Sequence, residues 1–568
     1  MYQYDAIDQS IIEERVAQFR DQTKRYLGGE IEEEVYQTLR LQNGIYIQTH
    51  APMLRVAIPY GVLSSRQLRI LADIAWKFDR GYGHFSTRQN IQFNWPKLED
   101  TPEILAQLAT VQMHAIQTSG NCIRNTTCDH LAGIALDEVA DPRPYCELIR
   151  QWSSFHPEFA HLPRKFKIAF TGAKQDRAAI AVHDIGYRVV KNDSQQLGFQ
   201  VTVGGGQGRT PVIGSVMREF LAEEDLLSYS EAILRIYNLY GRRDNKYKAR
   251  IKILVNSLGL EEFTRLVDKE WDEIREGELK LSKKEIVAMG QHFDTSLQIP
   301  NFREKVKRPP VAVFSSTLLN TDEVSANSFK NWQKRNITRQ KQVGFFAVYV
   351  SLKSASQAPG DATAEQMLCI AEAAENFASG EIRVTHDQNL VIPNVHESHL
   401  PEIWEKLHSS KLATPNIGLL TDMICCPGLD FCQLANAGSI PVAKRINAKF
   451  DDLDYLHDIG DLKIKMSGCM NACGHHHVGH IGILGVDKKG EEYYQFTLGG
   501  SAENDVALGE RLGPAVKKDD VVTVVQRLLD TYVSLRQESE RFLDTYRRVG
   551  ISPFKDAAYA EPDNREAA

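Results

Sequence analysis

Apolar positions alternate with polar ones along Leu54-Arg55-Val56-Ala57-Ile58-Pro59 and run densely through Phe345-Phe346-Ala347-Val348-Tyr349-Val350, and each stretch predicts a strand. A segment with helical spacing follows each, 66–79 and 364–378. Then come a second strand, Asn90 to Trp95 or Asn389 to Val395, and a second helix, 101–113 or 399–408. The same order twice predicts an α+β sandwich used twice. Further strands are predicted over Lys165 to Phe170, Phe199 to Val203, Lys463 to Met466 and Gln495 to Leu498. Residues 259–293 read as Glu- and Lys-rich helices joining the halves, and 519–548 as a C-terminal helix. The small, polar end after Pro553 predicts a frayed tail.

Residue identities support the duplication. His84-Phe85-Ser86-Thr87-Arg88-Gln89-Asn90-Ile91 lies on Arg383-Val384-Thr385-His386-Asp387-Gln388-Asn389-Leu390 at an offset of 299. Lys165-Phe166-Lys167-Ile168 lies on Lys463-Ile464-Lys465-Met466 at 298, and Gln200 to Gly205 on Gln495 to Gly500 at 295. Three matches in one order predict two homologous halves.

At 568 residues, 42 % hydrophobic and 25 % charged, the chain has the composition of a globular protein of several units. A net charge of −7 gives no overall basic excess for a nucleic-acid backbone, so any anion site is local. No apolar run approaches the ~18–20 residues that span a bilayer, and the polar start MYQYDAIDQS is unlike a signal peptide. A cytoplasmic protein is the expectation. Nine cysteines under those conditions suggest reduced thiols or metal ligands over disulfides.

Cys426 and Cys432 form C-x5-C, and Cys469 and Cys473 form C-x3-C about forty residues further on. Four thiolates can surround one metal centre. Structural zinc usually takes paired C-x2-4-C knuckles, whereas an iron-sulfur cube tolerates wider spacings, so the pattern favours a cluster, with zinc or buried thiols as alternatives. Gly468 and Gly474 flank the second pair and would let the backbone approach an inorganic core. Cys425 adjoins Cys426 and could also start the motif. Cys122 and Cys128 make another C-x5-C, but no C-x3-C follows, and a degenerate copy with buried thiols is expected there.

These motifs, CCPGLDFCQLA, SGCMNACGHHH, APMLRVAIPYG, STRQNIQF and LPRKFKIAF, resemble the siroheme-dependent nitrite and sulfite reductase family, most nearly the hemoprotein (beta) subunits of assimilatory sulfite reductases, over residues 40–555. The resemblance implies two halves related by pseudo-two-fold symmetry, each a ferredoxin-like half-domain plus a larger α+β domain. The implied segments are an N-terminal arm (1–50), half-domains at 51–115 and 336–410, siroheme and cluster domains at 116–335 and 411–555, and a flexible tail (556–568). It further implies that Cys426, Cys432, Cys469 and Cys473 hold a 4Fe-4S cluster and that Cys473 also bridges to the siroheme iron. Arg55, Arg124, Lys165 and Lys167 would bind substrate, and Arg88, Gln92 and Asn471 would contact siroheme. His84 departs from the pattern, where Arg is common. Ser119 stands where some members carry a crosslinked Cys, so no crosslink is expected.

Residue chemistry agrees with that implication. Lys165 and Lys167 are two apart on a predicted strand, so both ammonium groups share a face, which is costly unless an anion lies between them. Sulfite reduction to sulfide takes six electrons and several protons, and needs both an electron reservoir and cations around departing oxygens. Nitrite reduction to ammonia is the competing reading, and Lys167, where the nitrite branch tends to carry Asn, favours sulfite. Electrons would come from an external flavoprotein subunit or a ferredoxin. A non-catalytic cluster protein binding RNA is disfavoured by the lack of aromatic and basic interleaving. Gly204 to Arg209 fits neither phosphate-loop pattern and reads as a turn near the cofactor. His475, His476, His477 and His480 read as cofactor-adjacent or surface residues more readily than as metal ligands.

Overall fold

The computed structural model describes residues 1–294 and 323–560, so most of the predicted tail, 561–568, lies outside the described residues. The chain forms two units. One comprises 1–206, 212–350 and 361–413, and the other 207–211, 351–360 and 414–568.

The first repeat supplies β1 (Ile45–Ile47), β2 (Pro52–Val56), β3 (Val62–Ser64), β4 (Tyr82–Phe85) and β5 (Ile91–Phe93). It continues with β6 (Thr127–Cys128), β7 (Ile168–Thr171), β8 (Ile185–Lys191), β9 (Leu197–Val203) and β10 (Ser215–Ala222). The second supplies β11 (Ile337–Arg339), β12 (Phe345–Val350), β13 (Asp361–Thr363), β14 (Glu381–Val384) and β15 (Leu390–His396). Its remaining strands include β16 (Ile424–Cys425), β17 (Ile464–Ser467), β18 (Ile481–Lys488), β19 (Glu491–Leu498) and β20 (Glu510–Arg511).

Within the first unit two sheets have equivalent orders, β1-β2-β5-β4-β13 and β11-β12-β15-β14-β3. Each repeat thus lends one strand, β3 or β13, to the sheet of the other. The Gln-Asn pair shared by the two sequences serves this interlock. Gln89 Nε2 donates to Val384 O at 2.8 Å, and Gln388 Nε2 donates to Phe85 O, the equivalent carbonyl, at 3.2 Å. Both glutamines adopt positive φ (53° and 59°) to make these bonds. Helices Ser65–Phe78 and Ala364–Phe377 begin with capping boxes, Ser64 with Gln67 and Thr363 with Gln366, and Arg69 meets Glu375 across them at 2.7 Å.

The remaining sheets again repeat one pattern. In the first unit β6, β7 and β8 are parallel, with β9 and β10 antiparallel beyond them. In the second unit β16, β17 and β18 are parallel, and β19 and β20 follow antiparallel. The mixed α+β architecture in two homologous halves is that expected.

Several elements differ from their sequence reading. Residues 1–50 hold helices Ala6–Leu27 and Glu33–Gln42, pinned by the buried Phe19 and by Tyr36, which stacks on Tyr26 at 4.0 Å. The 259–293 segment folds as Leu260–Ile274 and Lys283–Gln291, and Phe263, Val267, Trp271, Ile286 and Met289 join the core beneath β7–β9, so these helices complete the first repeat's domain. The expected C-terminal helix breaks into Val521–Leu535 and Phe542–Val549, because the reversal lets Phe542 pack on Tyr532 at 5.6 Å. The chain beyond Pro553 stays helical over Ser552–Ala558, held by buried Phe554.

Candidate active site

Two groups of polar and ionisable side chains stand out, one in each unit.

In the first unit a polar row crosses the β1-β2-β5-β4-β13 sheet. Arg55, Gln92, His84 and Asp361 are successive cross-strand partners. Arg55 Nη2 donates to Gln92 Oε1 at 3.0 Å, and His84 Nδ1 meets Asp361 Oδ1 at 2.7 Å. Arg55 also lies 5.6 Å from the Tyr46 ring centroid, while its Nε is buried with no hydrogen-bond partner among the described residues. The equivalent row in the other sheet is Tyr349, Val391, Arg383 and Val62. There Leu131, Ile134 and Ala135 pack on Val391 and Tyr349, so apolar contact replaces the polar surface.

Phe166, Ile168 and Phe170 join the core, and β7 starts only at Ile168, so Lys165 and Lys167 lie on the segment leading into it and not on the strand expected from Lys165. Arg124 lies on the neighbouring segment, where its N–H donates to Phe166 O at 2.7 Å. Its guanidinium is folded back on its own loop, with three donors on Thr118 O and Gly120 O, which leaves two of five for a ligand. Arg88 is turned inward: Nη1 bonds Thr127 Oγ1 at 2.9 Å and His183 Nε2 at 2.6 Å, and Nη2 bonds Asn125 O at 2.7 Å. His183 Nδ1 faces Ala179 O at 2.7 Å, which fixes the ring with Nε2 as acceptor from Arg88.

The cluster is strongly positive. Burial, then the like charges of Lys165, Arg250 and Arg88, hold the Lys167 ammonium well below its ordinary pKa, and only Asp184 among the principal influences opposes them. Burial, together with Arg124, Arg250 and Arg55, likewise disfavours the charge on Arg88. Asp184 and Arg250 escaped the sequence reading. Asp184, its side chain wholly buried, accepts Lys167 N–H at 2.8 Å and a bidentate pair from Arg250, Nε on Oδ1 at 2.9 Å and Nη2 on Oδ2 at 2.8 Å. Lys252, pushed down to about 8 by burial and by Arg250, donates to Gly206 O at 3.3 Å. Arg250-Ile-Lys252 repeats the Lys165-Phe-Lys167 spacing, which is the one signal the sequence offered. The Gly204–Gly206 stretch ends in a turn closed by the Gly206–Val212 bridge.

In the second unit the cysteines lie on two loops. Cys425, in β16, belongs to the apolar core with Met423 and Met466, whereas the Cys426 sulfur accepts Gly468 N–H at 3.1 Å. Burial and then Cys473 push the Cys426 thiol up to about 12. Burial, Cys473 and Cys432 push up Cys469, opposed by hydrogen bonds from exposed Asn471. Buried thiols pushed up in this way, such as Cys426 and Cys469, ionise together only around a cationic centre. Among the described residues no three His, Cys, Asp or Glu side chains converge closely enough for a single ion. An iron-sulfur cube, larger than a single ion, takes thiolates from more widely spaced chain positions. Gly468 and Gly474 make room for protein: a Cβ on Gly474 would strike Met466 O, and one on Gly468 would strike Gly428 Cα and Ala437 O. They let the two cysteine loops nest.

The histidines after Cys473 divide. His480 Nδ1 accepts Lys463 N–H at 3.2 Å, a structural role, while both ring nitrogens of His476 are buried with no partner among the described residues. Such an orphaned donor and acceptor three residues from Cys473 suits a polar cofactor. Cys128 is buried in the first unit's core, as expected for the degenerate motif, and Cys122 bonds Ser119 O.

Comparisons with known proteins agree with this chemistry. The model of the "nitrite and sulphite reductase 4Fe-4S domain" matches residues 119–275 and 419–565, and that of the "nitrite/sulfite reductase ferredoxin-like half domain" matches 47–111 and 338–410. The chain is 27 % identical to a ferredoxin–nitrite reductase of Synechococcus elongatus, covering 84 % of this chain and 85 % of the relative. It is 26 % identical to sulfite reductase [ferredoxin] 1 of Mycolicibacterium paratuberculosis, covering 86 % and 81 %. The fold matches that of Mycobacterium tuberculosis NirA with a TM-score of 0.75 at 24 % identity, over 93 % of this chain and 92 % of that one. No helix among the described residues is long and apolar enough to cross a membrane. The chain belongs to the nitrite and sulfite reductase family, an oxidoreductase family, and its cofactors are siroheme and a 4Fe-4S cluster.

Proposed function

We propose that this protein is an assimilatory sulfite reductase, reducing sulfite by six electrons to sulfide. The observation that carries this reading is the Lys167 ammonium, held among Lys165, Arg250 and Arg88 with Asp184 as the opposing charge. A site so positive stabilises a small anion, and a lysine of lowered proton affinity gives up a proton readily to departing oxygen. Arg55 and Arg124 anchor substrate, and Lys165 and Lys167 deliver protons.

Bound siroheme and cluster supply the electrons and the iron at which the anion reacts. In this reading Cys426, Cys432, Cys469 and Cys473 would hold the cluster, and Cys473 would also serve the siroheme. Arg88, Gln92 and Asn471 contribute to holding the siroheme. Arg88 acts through the two guanidinium donors its protein partners leave over, and Asn471 also braces Cys469. The half-domains at 51–115 and 336–410 and the cofactor domains at 116–335 and 411–555 follow the same reading. A ferredoxin is the favoured donor, because the relatives' names carry it; a flavoprotein subunit is the alternative.

Nitrite reduction is the second reading, since relatives of both names stand at nearly equal identity. Steady-state reduction of sulfite and nitrite by the holoprotein, with a reduced viologen dye as donor, separates them. A higher kcat/KM for sulfite is expected; a higher value for nitrite overturns the substrate assignment.

A further inference from the structure

Ser439 occupies the N-cap of helix Ile440–Lys449, where a serine hydroxyl ordinarily accepts a hydrogen bond from the first turn. Here it makes no cap bond. The side chain is fully buried, and its Oγ faces the Cys426 sulfur at 3.8 Å. Two glycines wall it in: a Cβ on Gly428 or Gly468 would collide with Ser439 Oγ, so no side chain at either position competes for that direction. Gly468 N–H approaches the same sulfur at 3.1 Å. The backbone is pinned independently, since Glu492 Oε2 accepts Gly438 N–H at 2.8 Å and Lys518 holds Glu492 at 3.1 Å.

A helix that forgoes a cap worth roughly 1 kcal/mol needs a compensating use for the hydroxyl. Once Cys426 is a thiolate it can only accept, so Ser439 O–H becomes the donor, and a charge-assisted bond is shorter and stronger than a neutral one. Hydrogen bonds to cluster sulfurs stabilise the more negative, reduced state and set the potential.

We infer that Ser439 is a positioning residue that donates a hydrogen bond to the Cys426 thiolate and raises the reduction potential of the cluster. This rests on the reading of Cys426 as a cluster ligand.

The test is a redox titration of the holoprotein, followed by the EPR signal of the reduced cluster, with iron and acid-labile sulfide measured on each sample. Ser439→Ala is expected to shift the one-electron equilibrium about tenfold toward the oxidised form, about 59 mV lower. Ser439→Thr, which keeps the hydroxyl, should stay near the wild type. Equal potentials in all three proteins, or an equal fall in Ala and Thr, overturn the inference while leaving the ligand reading intact. If the smaller alanine prevents loading, Ser439→Val against Ser439→Thr decides on the same criterion, as the pair matches in shape. A Cys426→Ser protein that keeps its full iron and sulfide overturns the ligand reading, and the inference with it.

Discussion

Asp184 Oδ2 accepts the backbone N–H of Lys167 at 2.8 Å, and the same carboxylate holds Arg250 in a fork, Nε on Oδ1 at 2.9 Å and Nη2 on Oδ2 at 2.8 Å. A single buried acid therefore fixes the backbone that carries one cation and the side chain of another. It also supplies the negative charge that lets these cations sit side by side. Removing one partner of a buried pair leaves its mate uncompensated. Asp184→Ala should lower stability by about 3 kcal/mol, read from denaturant midpoints, and abolish most turnover. A variant as stable as the wild type contradicts this role.

Lys167 has a second, pH-dependent signature. Its folded-state pKa lies well below the ordinary 10.5. Between that lowered value and 10.5 the unfolded chain binds a proton that the folded chain does not, so stability rises with pH across that window. Lys167→Met removes the group. The variant should be more stable than the wild type at pH values below the window, and the gap should close as pH approaches 10.5. Urea midpoints across a pH series measure it; a gap that does not change with pH rules out Lys167 as the source. Added sulfite should narrow the gap at low pH, because an anion relieves the repulsion in the wild type alone.

In the proposed function, substrate preference hangs on the same residue. Sulfite brings three oxygens to nitrite's two, and an extra ammonium rewards the larger anion. Lys167→Asn should cost roughly tenfold more kcat/KM on sulfite than on nitrite, about 1.4 kcal/mol of selective transition-state stabilisation. Parallel viologen assays read the ratio, and an equal loss on both substrates sinks the argument.

The adjacent cysteines should behave differently. Cys425 lies in the core with Met423 and Met466, whereas Cys426 faces Gly468 N–H. Cys425→Ser should retain iron and labile sulfide while losing roughly 1–2 kcal/mol of stability from a buried hydroxyl. Cys426→Ser should lose cluster iron. The reverse pattern of metal content would make Cys425 the ligand.

Cys473 carries the coupling between cofactors in the proposed function. Cys473→Ser should alter the visible spectrum of the heme and abolish six-electron turnover, whereas unchanged spectrum and turnover would exclude it as the shared ligand.

The sequence by itself determined what depends on neighbours in the chain. An unbroken apolar run placed β12, S-x-x-Q and T-x-x-Q started the paired helices, and the offsets near 299 disclosed the repeat. Spacing also marked the cysteine loops, because a multi-thiolate centre constrains local chain length. Tertiary structure decided what depends on distant segments meeting. Asp184 and Arg250 are 66 residues apart, and neither carries a local signature of its pairing. The exchange of β3 and β13 cannot be read from either strand's own residues, since three-residue strands take their partners from the sheet they complete. Cys425 and Cys426 are indistinguishable as letters. The direction of β16 sends one into the apolar core and leaves the other beside Ser439, where burial and a hydrogen-bond donor give the same side chain a different chemistry.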